Sequence, residues 1–195
     1  KTINRTSLRE NLISFENPVE RSDAWVAEGG KLTVEARPIM QVSDVRRYVF
    51  KGWAGDIDDH DGLRAEITAD RPKKALQLYD EELLVILAFE GEGGMQVDAV
   101  ATIRHEGGKE YNVRREPFWA VKGSYSVVSV MFRNVDVKGV SELSVDAPRQ
   151  HKLPVKVYSL RLAVKDLLGM PFAMATVSVS SEEGVEAEET LDGNG

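Results

Sequence analysis

Apolar residues in this chain recur at every second position over short runs. Leu32, Val34 and Ala36 alternate with Lys31, Thr33, Glu35 and Arg37, and Ala65, Ile67 and Ala69 alternate with Arg64, Glu66, Thr68 and Asp70. A period of two is that of a strand with one wet face. Val97, Ala99, Ala101 and Ile103 repeat it, as do Val128, Val130 and Phe132, then Leu160, Leu162 and Val164, then Ala175, Val177 and Val179. Turn-forming residues lie between the runs: Gly29-Gly30, Asp61-Gly62, Gly93-Gly94, Gly107-Gly108, Gly123-Ser124, Gly139 and Asp192-Gly193. Many short strands at this spacing predict an all-β fold of antiparallel sheets, arranged as tandem small β-modules and sandwich-like units.

Two stretches compete for helix. Ser7-Leu8-Arg9-Glu10 has the form of a capping box ahead of Leu12, Ile13 and Phe15, although Asn17-Pro18 would stop such a helix after about two turns. Lys73 to Phe89 places Ala75, Leu76, Tyr79, Leu83 and Leu87 near helical spacing. It follows Pro72, is interrupted by Asp80-Glu81-Glu82 and contains the β-rich Leu84-Val85-Ile86, so two strands meeting at a domain junction are expected. That acidic break closes a first unit, 1–80. The stretch Ala147-Pro148-Arg149-Gln150-His151-Lys152-Leu153-Pro154 reads as an extended polar connector closing a second, 81–152. The remaining unit, 153–195, is expected to be incomplete, because so short a sandwich rarely buries enough surface to fold alone.

Composition narrows the classes of function. Of 195 residues, 42% are hydrophobic, sufficient for real cores, and 25 Lys+Arg against 32 Asp+Glu leave a net charge of −7. Such a chain has no overall positive field to gather phosphates, so nucleic acid is not an expected partner. No apolar run approaches the roughly 20 residues of a membrane-spanning helix, and membrane insertion of this segment is not expected. The absence of Cys excludes disulfides, thiolate zinc sites and cysteine nucleophiles. A first residue of Lys1 in place of Met suggests a processed product or a piece of a longer chain, with room for a targeting signal upstream. The 29% charged content with few Asn and Gln suits a thermophile.

Two stretches resemble known modules. Arg47-Tyr48-Val49-Phe50-Lys51-Gly52-Trp53-Ala54-Gly55-Asp56, followed by Ala69 to Tyr79 and preceded by Trp25 and Gly29-Gly30, resembles the F-x-G-W-x-G signature of the internalin-type B repeat over residues 10–79. That resemblance implies a small β-rich module of prokaryotic cell-surface proteins, archaeal ones included, in which an aromatic strand precedes a G-W-x-G turn. Physically, Gly52 and Gly55 would permit a tight reversal and Trp53 would fold over the sheet edge. Val164-Lys165-Asp166-Leu167-Leu168-Gly169-Met170-Pro171-Phe172-Ala173-Met174-Ala175-Thr176-Val177-Ser178-Val179, then Thr190 to Gly195, resembles the first half of an immunoglobulin-like or carboxypeptidase-regulatory-like sandwich. An Asp-capped turn, a Gly at positive φ and a Pro at the exit give that spacing its mechanical cause.

Candidate chemistry is sparse. Asp56, Asp58, Asp59 and Asp61 beside Gly62 form the densest carboxylate cluster and are candidate calcium ligands, with a solvated acidic turn as the alternative. The EF-hand register fails there, because His60 falls at the fifth position. Glu182, Glu183, Glu186, Glu188 and Glu189 read as a wet strand face. His60, His105 and His151 lie in separate segments without metal-ligand spacing and are read as surface residues. No serine sits in G-x-S-x-G and no Gly-rich loop leads into a helix. Trp119, in Glu116-Pro117-Phe118-Trp119, is a candidate for stacking on a glycan ring, and Asn4-Arg5-Thr6 is a glycosylation sequon. Lys156 or Lys165 would need a partner strand beyond Gly195 to form an isopeptide bond, and that reading is rejected.

Together these features lead to the expectation of a non-enzymatic structural or spacer segment of an extracellular, cell-surface multidomain protein: a stalk, a surface-layer element or an adhesion element. It needs no cofactor unless calcium binds. Its expected partners are neighbouring modules of the same polypeptide and, through an open sheet edge, copies of itself. The alternatives are a binding module for a glycan or a partner strand, and an accessory region of an extracellular hydrolase.

Overall fold

Lys73–Glu90 form one strand of 18 residues, and most of the other strands assemble along it in the computed structural model, whose described residues are 9–158, 168, 170, 176–180 and 186–190. Ahead of it come β1 (Glu10–Glu16), β2 (Arg21–Ala27), β3 (Lys31–Glu35), β4 (Ile39–Ser43), β5 (Arg46–Gly55), β6 (Asp59–Asp61) and β7 (Arg64–Thr68), which makes the long strand β8. One sheet runs β2-β1-β8-β5-β4. Its β1–β2, β4–β5 and β5–β8 pairings are antiparallel, and β1 lies parallel to β8. A smaller antiparallel sheet, β3-β7-β6, contributes Leu32, Val34 and Ile67 to a core with Ile13, Phe15 and Ala75 of the first sheet. The sequence after the capping box is therefore strand. β1 gains partners on both edges, a ladder that two turns of helix could not match.

The second half of the chain reuses the same long strand. β9 (Gln96–Val97), β12 (Phe118–Val121) and β16 (Gln150–Pro154) pair with its C-terminal part, β9 and β12 antiparallel and β16 parallel. β10 (Val100–His105), β11 (Glu110–Val113), β13 (Gly123–Phe132), β14 (Val135–Asp136) and β15 (Glu142–Val145) form the facing sheet, with β13 central between β10 and the short β14 and β15. Leu83, Val85, Leu87 and Phe89 are no more than 1% exposed and pack with Ile103, Tyr125, Val130 and Leu153. Ala75 belongs to the first core and Leu83 to the second, so β8 leaves one apolar interior and enters the other within a few residues. A further hairpin joins β17 (Thr176–Ser180) and β18 (Glu186–Thr190).

The all-β expectation stands, and the only helical turn among the described residues is the short 3-10 turn Glu92–Gly94. Several local expectations are corrected. The two strands expected on either side of Asp80-Glu81-Glu82 are one, so a boundary between 80 and 81 falls inside β8. The polar connector ending at Pro154 contains β16, with His151 and Leu153 buried, and the second core continues to Val155; a boundary at 152/153 also falls inside a strand. Proline is tolerated there because β16 is an edge strand among the described residues and the N–H of the next residue, Val155, makes the bond to the Glu90 carbonyl at 2.9 Å. Val128 does not share a buried face with Val130. A bulge opposite Thr102 and Ile103 shifts the register, so Tyr125 and Val127 point inward before it and Val130 after it, while Val128 is 39% exposed. The G-W-x-G run is no reversal, since β5 continues through it with a bulge at Lys51. Gly55 ends that strand at φ +90, where a Cβ would stand 2.3 Å from the Lys74 carbonyl oxygen. The strand at Leu160 to Val164, most of the immunoglobulin-like motif and the turn at Asp192-Gly193 lie outside the described residues.

Candidate functional site at the midpoint of the long strand

The aspartate cluster is held by cations of its own chain. Asp56 accepts from the Lys74 backbone N–H at 3.1 Å and from Arg71 at 2.9 Å, and the first of these holds its carboxyl below the usual range. Asp58 accepts from Lys73 Nζ at 2.9 Å and from the Thr68 backbone N–H. Lys73, whose side chain is 5% exposed, also meets Asp70 at 3.2 Å. Asp59 accepts from the His60 N–H at 2.8 Å, and Asp61 is exposed on β6. Among the described residues no group of three or more His, Asp or Glu side chains is placed to hold a metal ion. The four carboxylates therefore do not form the ligand set expected of a calcium loop.

The Asp58–Lys73 contact makes stability depend on pH. Hydrogen bonding from Lys73, then from Thr68, lowers Asp58 from 3.8 to about 2. A carboxylate depressed in the folded state stabilises the fold above its ordinary value, and this contribution is lost as pH falls through the folded value. Lys73 is raised, chiefly by its hydrogen bond to Asp58, so its contribution is complete below its ordinary 10.5 and is lost as pH rises through the raised value. Urea unfolding followed by tryptophan fluorescence should show stability declining from about pH 4 toward pH 2. Asp58→Asn should flatten that acid limb and weaken the protein at neutral pH. An unchanged acid limb in the variant would remove this assignment.

Trp119 is half-buried, and the Arg47 guanidinium lies 4.3 Å from its ring centroid. A face expected to meet a sugar is thus covered by a cation of the same chain. The exposed tryptophan is Trp25, at 67%. Trp53 is half-buried beside Phe50 and donates to the Gly62 carbonyl at 3.1 Å. Asn4 lies outside the described residues. Of the histidines expected at the surface, only His60 is exposed. His151 is buried, its Nε2 3.1 Å from the Ala147 carbonyl. His105 accepts from the Gly107 N–H through Nδ1, and its buried Nε2 has no hydrogen-bond partner. That nitrogen occupies the space beside Gly123 (φ +148), where a Cβ would come within 2.6 Å of it.

The densest polar arrangement lies where β8 passes between the cores. Asp80, Glu81 and Glu82 occupy successive positions, so their side chains leave alternate faces of the strand. Asp80 meets Lys51 of β5 at 2.9 Å. Glu81 bridges Arg46 of β5 at 3.0 Å and Lys122, just beyond β12, at 3.2 Å. Glu82, with a side chain 5% exposed, accepts from Arg47 Nε and Nη2 at 2.8 and 2.6 Å and from Lys109 at 3.1 Å. Residue 82 pairs with Arg47 on β5 and Val121 on β12, and therefore has a strand on each edge. Burial works against the charge of Lys109, but its hydrogen bonds to Tyr111 and Glu82 prevail and its pKa is raised. Lys109 also lies 5.0 Å from the Tyr111 ring centroid. The cluster thus fastens β5, from the first half, to β12 and to Lys109 ahead of β11, from the second, through carboxylates of β8.

This arrangement resists separation of the two halves, because parting them would strip hydrogen bonds from a buried carboxylate. In sequence the acidic triplet reads as a break, and nothing near it marks Arg46, Arg47, Lys109 or Lys122 as its partners. A signal was available in the complementary pair Arg46-Arg47 at the start of an aromatic strand. No protein-family model matches the chain, and a search of curated proteins finds no match.

Proposed function

We propose that this chain is a non-enzymatic spacer segment of an extracellular, cell-surface multidomain protein, acting as a stalk, surface-layer or adhesion element. The observation that carries this reading is the continuity of β8 through both cores, with the ionic cluster around Glu82 at the crossing. A spacer must hold its ends at a fixed separation, and two cores joined by one hydrogen-bonded strand cannot swing as two domains on a flexible linker would. The glycan reading loses support at Trp119, where Arg47 covers the ring.

The absence of cysteine makes the test direct. Spin labels at Glu35→Cys and Glu142→Cys, both exposed and in different halves, should give one narrow distance distribution by pulsed electron resonance. A broad or two-peaked distribution would remove the physical basis of the spacer reading.

A further inference from the structure

β2 and β3 follow one another across a turn at Gly29-Gly30, yet they belong to different sheets. Among the described residues β2 pairs only with β1, and β3 only with β7, so each is terminal in its sheet. Beyond the turn bond from the Gly30 N–H to the Ala27 carbonyl at 2.8 Å, the two strands diverge around an opening of about 410 Å³. Its walls are consecutive residues of both strands, 22–24 of β2 and 32–35 of β3. Each strand is bonded along one edge among the described residues, so its other edge, at this opening, carries N–H and C=O groups that no described ladder uses. The volume lies in the range of ordinary ligand sites.

The interior of the opening and its rim differ in character. Phe15, Leu32, Val34 and Met40 line it with apolar surface, and Tyr79 is fixed there by donating to the Arg37 carbonyl at 2.9 Å. Glu20, Asp23 and Glu35 also line it, against one cation, Arg37. The counterions of two of these acids, Arg21 at 3.5 Å from Asp23 and Arg64 at 3.7 Å from Glu35, are surface contacts that an incoming charge can displace at little cost.

We propose that this opening is a docking site for an extended, lysine- or arginine-bearing peptide segment of another protein, which adds as a strand to the edges of β2 and β3. Alternate apolar side chains of the segment enter the opening, and its basic side chains meet Glu20, Asp23 and Glu35. A second copy of the chain fits less well, since it would bring the same acidic rim, on a molecule of net charge −7, against itself.

The probe is a capped octapeptide alternating valine and lysine, with a valine–glutamate octapeptide as control, titrated into the full chain at low salt. The lysine peptide should slow amide exchange along β2 and β3 and bind roughly tenfold or more tightly than the glutamate peptide, a margin that shrinks as salt is added. The exposed pair Asp23→Lys and Glu35→Lys should reduce its binding about tenfold without altering the unfolding transition. Ala24→Phe, which fills the opening, should abolish it. Equal binding of the two peptides, protection elsewhere, or no binding at millimolar peptide would overturn the proposal. Concentration-dependent protection of β2 without peptide would overturn it too, in favour of a second copy.

Discussion

Glu82→Ala is expected to lower the stability of the chain by about 3 kcal/mol and to split one unfolding transition into two. Truncating one member of a buried ion pair typically costs 3–5 kcal/mol because the other charge is left without compensation. The low end applies here, because Arg47 and Lys109 are 24% and 56% exposed and recover some hydration. The split is the more informative result. Glu82 is where strands of both halves meet on β8, so its loss weakens the coupling more than it weakens either core. Trp25 and Trp53 report on the first half and Trp119 on the second, so urea unfolding monitored by single-tryptophan variants resolves the halves. Glu82→Gln, which keeps the shape and some of the hydrogen bonds, should fall between wild type and alanine. A loss below about 1 kcal/mol with coincident transitions would show that the cluster is no more than an ordinary surface network.

The second large effect is expected at Phe89→Ala. Phe89 is fully buried in the second core beside Leu87 and Leu153, and removing such a ring costs about 3–5 kcal/mol through lost transfer energy and the cavity left behind. Alone, the substitution should destabilise both halves together, because β8 carries the strain from one core to the other. Combined with Glu82→Ala, it should move only the transition reported by Trp119. Leu78→Ala, on the same strand but 42% exposed, should change stability by no more than about 0.5 kcal/mol and serves as the control. If Phe89→Ala shifts only the Trp119 signal even with Glu82 intact, the two halves are independent.

The alternation rule succeeded where a strand keeps one face throughout. Ala65, Ile67 and Ala69, read from the period alone, are at most 1% exposed. It failed where a tertiary contact changed the phase or the meaning of a residue. At Val128 the register shift of the β10–β13 ladder turned a valine outward, and nothing in the local run marks that shift. At Asp80 to Glu82 three acids look like a solvated break until Arg46, Arg47, Lys109 and Lys122 are brought to them from as far as the next β-sheet. Gln150 to Pro154 carries a regular alternation, His151 and Leu153 against Gln150 and Lys152, but flanking prolines gave it the composition of a linker. The aspartate cluster was visible and its counterions were not, since Lys73 reaches it from β8 and Arg71 from the turn before it.

The parallel pairing of β1 with Lys73 to Leu76 also bears on how the chain acquires its structure as it is made. β1 and β2 emerge early and can close their own hairpin, but one edge of β1 stays open until β8 has been synthesised. The same strand then offers its C-terminal part to β12 and, last, to β16. Contacts so distant along the chain place its folding in the millisecond-to-second regime of non-local β topologies. The first core therefore closes only when the strand that begins the second has appeared, and the two halves mature in an order set by the direction of synthesis.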